Sequence, residues 1–111
     1  MYETQIRTGH IVPGMNFNQK VWALTAHIPK GKVTTYAQIA RKLGTRAYRA
    51  VGNALNKNPY TPVVPCHRVV GSSGQLTGFA SGLAKKRHLL VREGVVFTSG
   101  RVDLKCCCVP L

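Results

Sequence analysis

Acidic residues are nearly missing from this chain. Its 111 residues hold 3 Asp+Glu against 16 Lys+Arg, a net charge of +13. So few carboxylates cannot neutralise the surface by ion pairing, and a polyanionic partner follows, nucleic acid or an anionic membrane. Also missing are an apolar run long enough to cross a bilayer and a basic-apolar-small leader at the start, which argues against the membrane. There is no internal repeat and no low-complexity linker. The cysteines do not form the spaced framework of a small disulfide-stapled domain, since Cys66 stands alone and Cys106-Cys107-Cys108 are consecutive. A reducing, intracellular compartment fits that usage, the cytoplasm or, in a eukaryote, the nucleus. Three adjacent cysteines in one extended segment cannot converge on one ion, and His10, His27 and His88 have no cysteine or acid at ligand spacing. No metal and no cofactor are expected, and residues 105–111 read as a poorly ordered tail.

What is present is a modest core for one domain, with 44% apolar residues. Phe17, Val21, Leu24 and Ile28 repeat at helical spacing until Pro29-Lys30-Gly31 breaks the pattern. Thr35 reads as an N-cap with Gln38 at the capping-box position, ahead of a short helix burying Tyr36, Ile39, Ala40 and Leu43. Gly44 stops that helix and Thr45 caps the next. In this second helix Ala47, Val51, Ala54 and Leu55 point inward, while Arg46, Arg49, Asn53 and Asn56 line the outer side. Helix, glycine break, helix is the helix-turn-helix plan. A proline-rich loop (Pro59, Pro62, Pro65) delivers Cys66, and Val69-Val70 reads as a short strand. A final helix covers Leu83 to Glu93, with Lys85, Lys86 and Arg87 on a solvated face, before a possible strand at Val95-Val96-Phe97. The fold class expected is mainly α with small β pieces, a winged-helix or helix-turn-helix domain. Its divisions are an extension at 1–16, a DNA-binding and catalytic domain at 17–98 and a tail at 99–111.

Pro65-Cys66-His67-Arg68 carries the chemistry. A thiol is a poor nucleophile until it ionises, and an adjacent imidazole oriented by a carboxylate can take the proton. Of Glu3, Glu93 and Asp103, Glu93 at the end of the last helix is best placed to orient His67. An isolated Cys-His pair is more often inert, but the prolines and the central position weigh against that here.

Pro65-Cys66-His67-Arg68-Val69-Val70 resembles the active-site signature of the O6-alkylguanine-DNA alkyltransferases. Thr34-Thr35-Tyr36, Arg49-Ala50-Val51-Gly52, Asn58-Pro59, Thr77-Gly78-Phe79 and Leu89-Leu90 with Glu93-Gly94 resemble family segments in order and spacing, over roughly residues 17 to 97. The resemblance implies that Cys66 accepts the alkyl group and His67 is its base through a water. Glu93 polarises His67, Asn58 holds the active-site turn, and Tyr36 donates to the departing guanine. It implies that Arg49 fills the hole left by an extruded base, with Arg46, Ala50, Gly52, Asn53, Thr35 and Arg68 along the DNA. Leu55, Val69, Phe79 and Ala80 would line the substrate pocket, and Phe79 lacks the hydroxyl that many relatives carry there.

The expected partner is double-stranded DNA containing O6-alkylguanine, bound through the minor groove with little sequence preference by a monomer. The alkyl group lies inside the duplex, so the base must flip out. The thioether product has no carbonyl for water to attack, so each molecule should act once. The alternatives are an alkyltransferase-like lesion sensor, whose members typically lack the acceptor cysteine, and a plain winged-helix DNA-binding protein.

Overall fold

The computed structural model describes residues 2–61, 63–76 and 82–109, with the side chain of Cys106 left aside. Phe79 and Ala80, expected in the pocket, lie outside the described residues.

Helix α1 (Glu3–Arg7) precedes α2 (Phe17–Thr25). Asn16 caps α2, its side chain accepting from Gln19 N while Gln19 accepts from Asn16 N, a reciprocal capping box. The helix stops three residues before Ile28, yet Ile28 stays buried in the turn beyond it. Residues 2–16 do not lie loosely on the surface. Ile6 and Met15 form a small apolar cluster with Val64, flanked by Trp22 and Tyr60.

Strand β1 (Thr34–Thr35) runs directly into α3 (Tyr36–Lys42), and α4 (Tyr48–Asn56) follows. The cap at Thr35 forms as expected, with its hydroxyl accepting from Gln38 N at 3.1 Å. The side-chain oxygen of Gln38 accepts from Thr34 Oγ1 at 2.6 Å. The break between α3 and α4 is longer than the sequence predicts. Thr45 Oγ1 accepts from Ala47 N at 3.2 Å and Arg46 O accepts from Tyr48 N at 2.8 Å, so residues 45–47 make a turn of their own. Ala47 is therefore the N-cap and is exposed, not an inward-facing helical residue as expected. The remaining inward positions, Val51, Ala54 and Leu55, join Val21, Leu24, Ile28, Ile39, Ala40 and Val69 in the main core. Trp22 seals its edge, donating from Nε1 to Ala54 O at 2.7 Å.

Cys66–Arg68 form one turn of 3-10 helix that leads into β2 (Val69–Val70). β2 pairs parallel with β1, Thr34 opposite Val69 and Thr35 opposite Val70. In this parallel register the turn before β2 lies at the starting end of β1, while Tyr36 follows at its finishing end.

Helix α5 (Leu83–Arg92) packs on that turn, and β3 (Phe97–Thr98) pairs antiparallel with β4 (Arg101–Val102). The strand expected from Val95 thus begins at Phe97, and β4 follows it. Among the described residues no helix is long and apolar enough to cross a membrane, and no group of His, Cys, Asp or Glu could hold a metal ion.

The C-terminal segment corrects the expectation of a poorly ordered tail. Asp103 caps a helical turn, α6 (Leu104–Cys107), accepting from Lys105 N at 3.1 Å. Val33 N then donates to Cys107 O and Val109 N donates to Val33 O, both at 2.8 Å, a parallel bridge on the free edge of β1. Cys107 is 2% exposed, and Cys108 Sγ donates to Gln38 Oε1 at 3.2 Å. Cys107 acts here as a small apolar residue beside an edge strand. Removing residues 104–111 should lower stability by about 2–4 kcal/mol, through lost burial and reopened backbone donors. Urea denaturation checks this, and an unchanged midpoint would mean that the segment does not pack.

Candidate active site

The loop entering the site is held by Asn58. Its Nδ2 donates to Val64 O at 2.8 Å and its Oδ1 accepts from Tyr60 N at 2.9 Å. Cys66 N donates to Val64 O at 2.9 Å, which fixes the start of the turn. Cys66 is half-buried, packed on the main core, with Thr61 Oγ1 at 3.9 Å from Sγ.

His67 is buried beside it. Its Nε2 lies 3.1 Å from each carboxylate oxygen of Glu93. An ionised carboxylate only accepts, so Nε2 carries the hydrogen and Nδ1 is the basic nitrogen of the neutral ring. Burial lowers the pKa of His67 more than the bonds to Glu93 raise it, so the imidazole rests neutral. Burial would raise the Glu93 pKa, but hydrogen bonds from Arg68 and His67 outweigh it and hold the carboxyl below its ordinary value. The other two acids are spent elsewhere. Glu3 pairs with Arg7 at 3.5 Å on the surface, and Asp103 caps α6.

Arg68 and Thr35, expected along the DNA, have side chains engaged within the protein. Arg68 turns inward, its Nε donating to Glu93 Oε1 at 2.9 Å and its Nη2 to Oε2 at 2.7 Å. Its Nη1 donates to Ile28 O at 2.7 Å. A planar fork meeting a scarce carboxylate outcompetes a solvated phosphate contact. Thr35 is buried and its hydroxyl is engaged as the α3 cap. Leu55 and Val69, expected in the pocket wall, are core residues beneath Cys66, 5% and 0% exposed.

The helix α4 presents Arg49 and Asn53 to solvent, and Arg46 is exposed just before it. Ala50 is half-buried. Gly52 leans toward Tyr36, where an added Cβ would stand 3.8 Å from the ring.

Lys86 is the residue that the sequence reading missed. It was assigned to a solvated face, yet it is fully buried. Its Nζ donates to Tyr36 Oη at 3.3 Å and lies 5.6 Å from the ring centroid. Burial lowers its pKa to about 8, and the neighbouring Cys66 opposes that by favouring the charge. Lys86, Leu90 and Glu93 follow at i, i+4 and i+7, so the lysine occupies a core-facing slot of α5; that spacing was the available signal. The result is a half-buried thiol, a neutral imidazole held by a carboxylate, and a hydroxyl bonded to a buried cation.

Residues 16–95 match the family described as 6-O-methylguanine DNA methyltransferase, DNA binding domain. The chain belongs to this family. A methylated-DNA–protein-cysteine methyltransferase from Methanosarcina barkeri is 52% identical over 81 residues, 72% of this chain and 51% of that protein. The chain thus spans about half the length of such relatives. Among solved structures, Mycobacterium tuberculosis OGT in complex with DNA is similar with a TM-score of 0.69 at 39% identity, covering 82% of this chain and 62% of that one. S. pombe Atl1 in complex with damaged DNA containing O6-carboxymethylguanine gives 0.71 at 34% identity, covering 86% and 95%. The helix-turn-helix type of fold described above is that of these alkyltransferase-family neighbours.

Lys86 yields a pH prediction. Between about 8 and 10.5 the unfolded chain holds the lysine proton that the folded protein has released. Stability should therefore rise with pH across that window, by on the order of 3 kcal/mol. In Lys86→Met the rise due to this group should be gone, so the parent gains stability relative to the variant as pH increases. Denaturant midpoints from pH 7 to 10.5 check it, and parallel curves would contradict it.

Proposed function

We propose that the protein repairs DNA by direct reversal, moving an alkyl group irreversibly from O6-alkylguanine in DNA to Cys66. The observation that carries this reading is the half-exposed Cys66 beside a buried imidazole whose Nε2 is committed to Glu93. The proton of Cys66 passes to Nδ1 of His67, directly or through a water. The sulfur attacks the alkyl carbon, an S–C bond forms and the C–O6 bond breaks. The electron pair stays on guanine, and a donor aimed at that charge favours the transition state. Tyr36 fills that role, its hydroxyl polarised by Lys86. The thioether is stable to water, so one protein molecule removes one lesion.

Such a base sits inside the helix and must be rotated out, at a cost of a few kcal/mol. Arg49 is exposed on α4, where it is free to enter the vacated stack. Arg46 and Asn53 flank it toward the backbone of minor-groove DNA, with contacts mainly to phosphate and strong salt dependence. The lesion-sensing alternative is favoured by the likeness to S. pombe Atl1. Against it stands the cysteine at position 66 with its intact histidine and glutamate.

Mass spectrometry tests the proposal. After incubation with an O6-methylguanine duplex, the peptide containing Cys66 should gain one methyl group, and Cys66→Ala should gain none while still binding DNA. Selective binding to the lesion without an adduct would replace repair by sensing. In Arg49→Ala the ratio of duplex repair to reaction with the free modified base should fall about tenfold or more, the equivalent of about 1.4 kcal/mol. Equal losses on both substrates would remove Arg49 from base extrusion.

A further inference from the structure

Tyr48 has no place in the chemistry above, yet it is the first residue of α4 and its side chain is 53% exposed. Side chains lean toward the N-terminus of their helix, so its ring projects past the end of α4 over the turn of residues 45–47. Tyr48 forms a wall shared by two open grooves. One, of about 470 Å³, runs to Tyr36 and is bordered by Ser72 and Gln75. The other, of about 480 Å³, is bordered by Arg41, Thr45 and Arg46. The first is lined by Tyr36, whose hydroxyl Lys86 touches. The second has two guanidinium groups and no acid along it, and all three acids of the chain are engaged elsewhere. An exposed ring between a reactive site and a cationic trough suits a strand of nucleic acid, with stacking or sugar contact on the ring and a phosphate among the arginines.

We propose that Tyr48 is a DNA-positioning residue: its ring braces the damaged strand next to the nucleotide that enters the site, and Arg41 and Arg46 hold the adjoining phosphate in the groove beyond it. This rests on the repair reading for the identity of the strand, but its binding arm does not require alkyl transfer. Affinity for an unmodified duplex is measured at several salt concentrations by fluorescence anisotropy. Tyr48→Ala should weaken binding about tenfold, while Tyr48→Phe, which keeps the ring, should stay within about twofold of the parent. Arg41→Ala and Arg46→Ala should each reduce the slope of log K against log salt by about one. Tyr48→Ala should also lower the ratio of duplex repair to free-base reaction. Unchanged affinity in Tyr48→Ala, or an equal loss in Tyr48→Phe, overturns the role of the ring. Unchanged salt slopes overturn the phosphate groove. Tyr48→Ser repeats the test if the alanine variant does not fold. A parent protein that binds duplex but never acquires a methyl group overturns repair and leaves these binding outcomes decisive for Tyr48.

Discussion

Everything at the site leans on one carboxylate. Glu93 receives two bonds from Arg68 and faces His67 Nε2 with both oxygens. In a chain with 3 acids and 16 Lys+Arg, many cations could compete for it. Arg68 wins because it is adjacent to His67 in sequence and its planar fork fits both oxygens at once. The same guanidinium reaches Ile28 O, so the end of α2, the cysteine turn and the end of α5 are tied at a single point. The ion pair is half-buried and its worth lies in orientation more than in net stability. It keeps the carboxylate ionised and so keeps the proton of His67 on the far side of the ring from the base function.

The second constraint is topological. Two residue pairs of parallel strand join the segment that leads into α3 to the one that follows the cysteine turn, and Lys86 on α5 reaches Tyr36 while lying near Cys66. Such a short pairing is weak alone, and it is strengthened on its other edge by the segment that ends in Cys108 and Val109. The electrostatics then follow from burial. A fully covered Lys86 next to Tyr36 is costly when charged, and a thiolate nearby recovers part of that cost. The site thus couples the charge of the nucleophile to the charge of the residue behind the tyrosine.

Much of this was readable from residues alone, for identifiable reasons. The stripes Val21–Leu24–Ile28 and Val51–Ala54–Leu55 are buried because helical period decides burial in a small core. Glu93 could be chosen as the partner of His67 by elimination, since acids are so rare. Arg68 and Lys86 resisted because a cation turns inward only when a partner distant in sequence is waiting, and single-chain patterns treat charge as exposed by default. Thr45 misled because its hydroxyl caught an amide two residues on and delayed the helix. The C-terminal segment misled in the opposite way: its run of cysteines reads as a poorly ordered tail, yet Cys107 is buried and Cys108 bonds Gln38.

The partner of His67 comes 26 positions later in the chain, and the outer edge of β1 is covered only by residues near position 108. Long-range closures of this kind form late in folding, after local helices. A ribosome therefore releases most of this polypeptide before His67 meets Glu93. During synthesis Cys66 thus waits for the imidazole and carboxylate that, on the proposed repair reading, make its thiol a reagent consumed once.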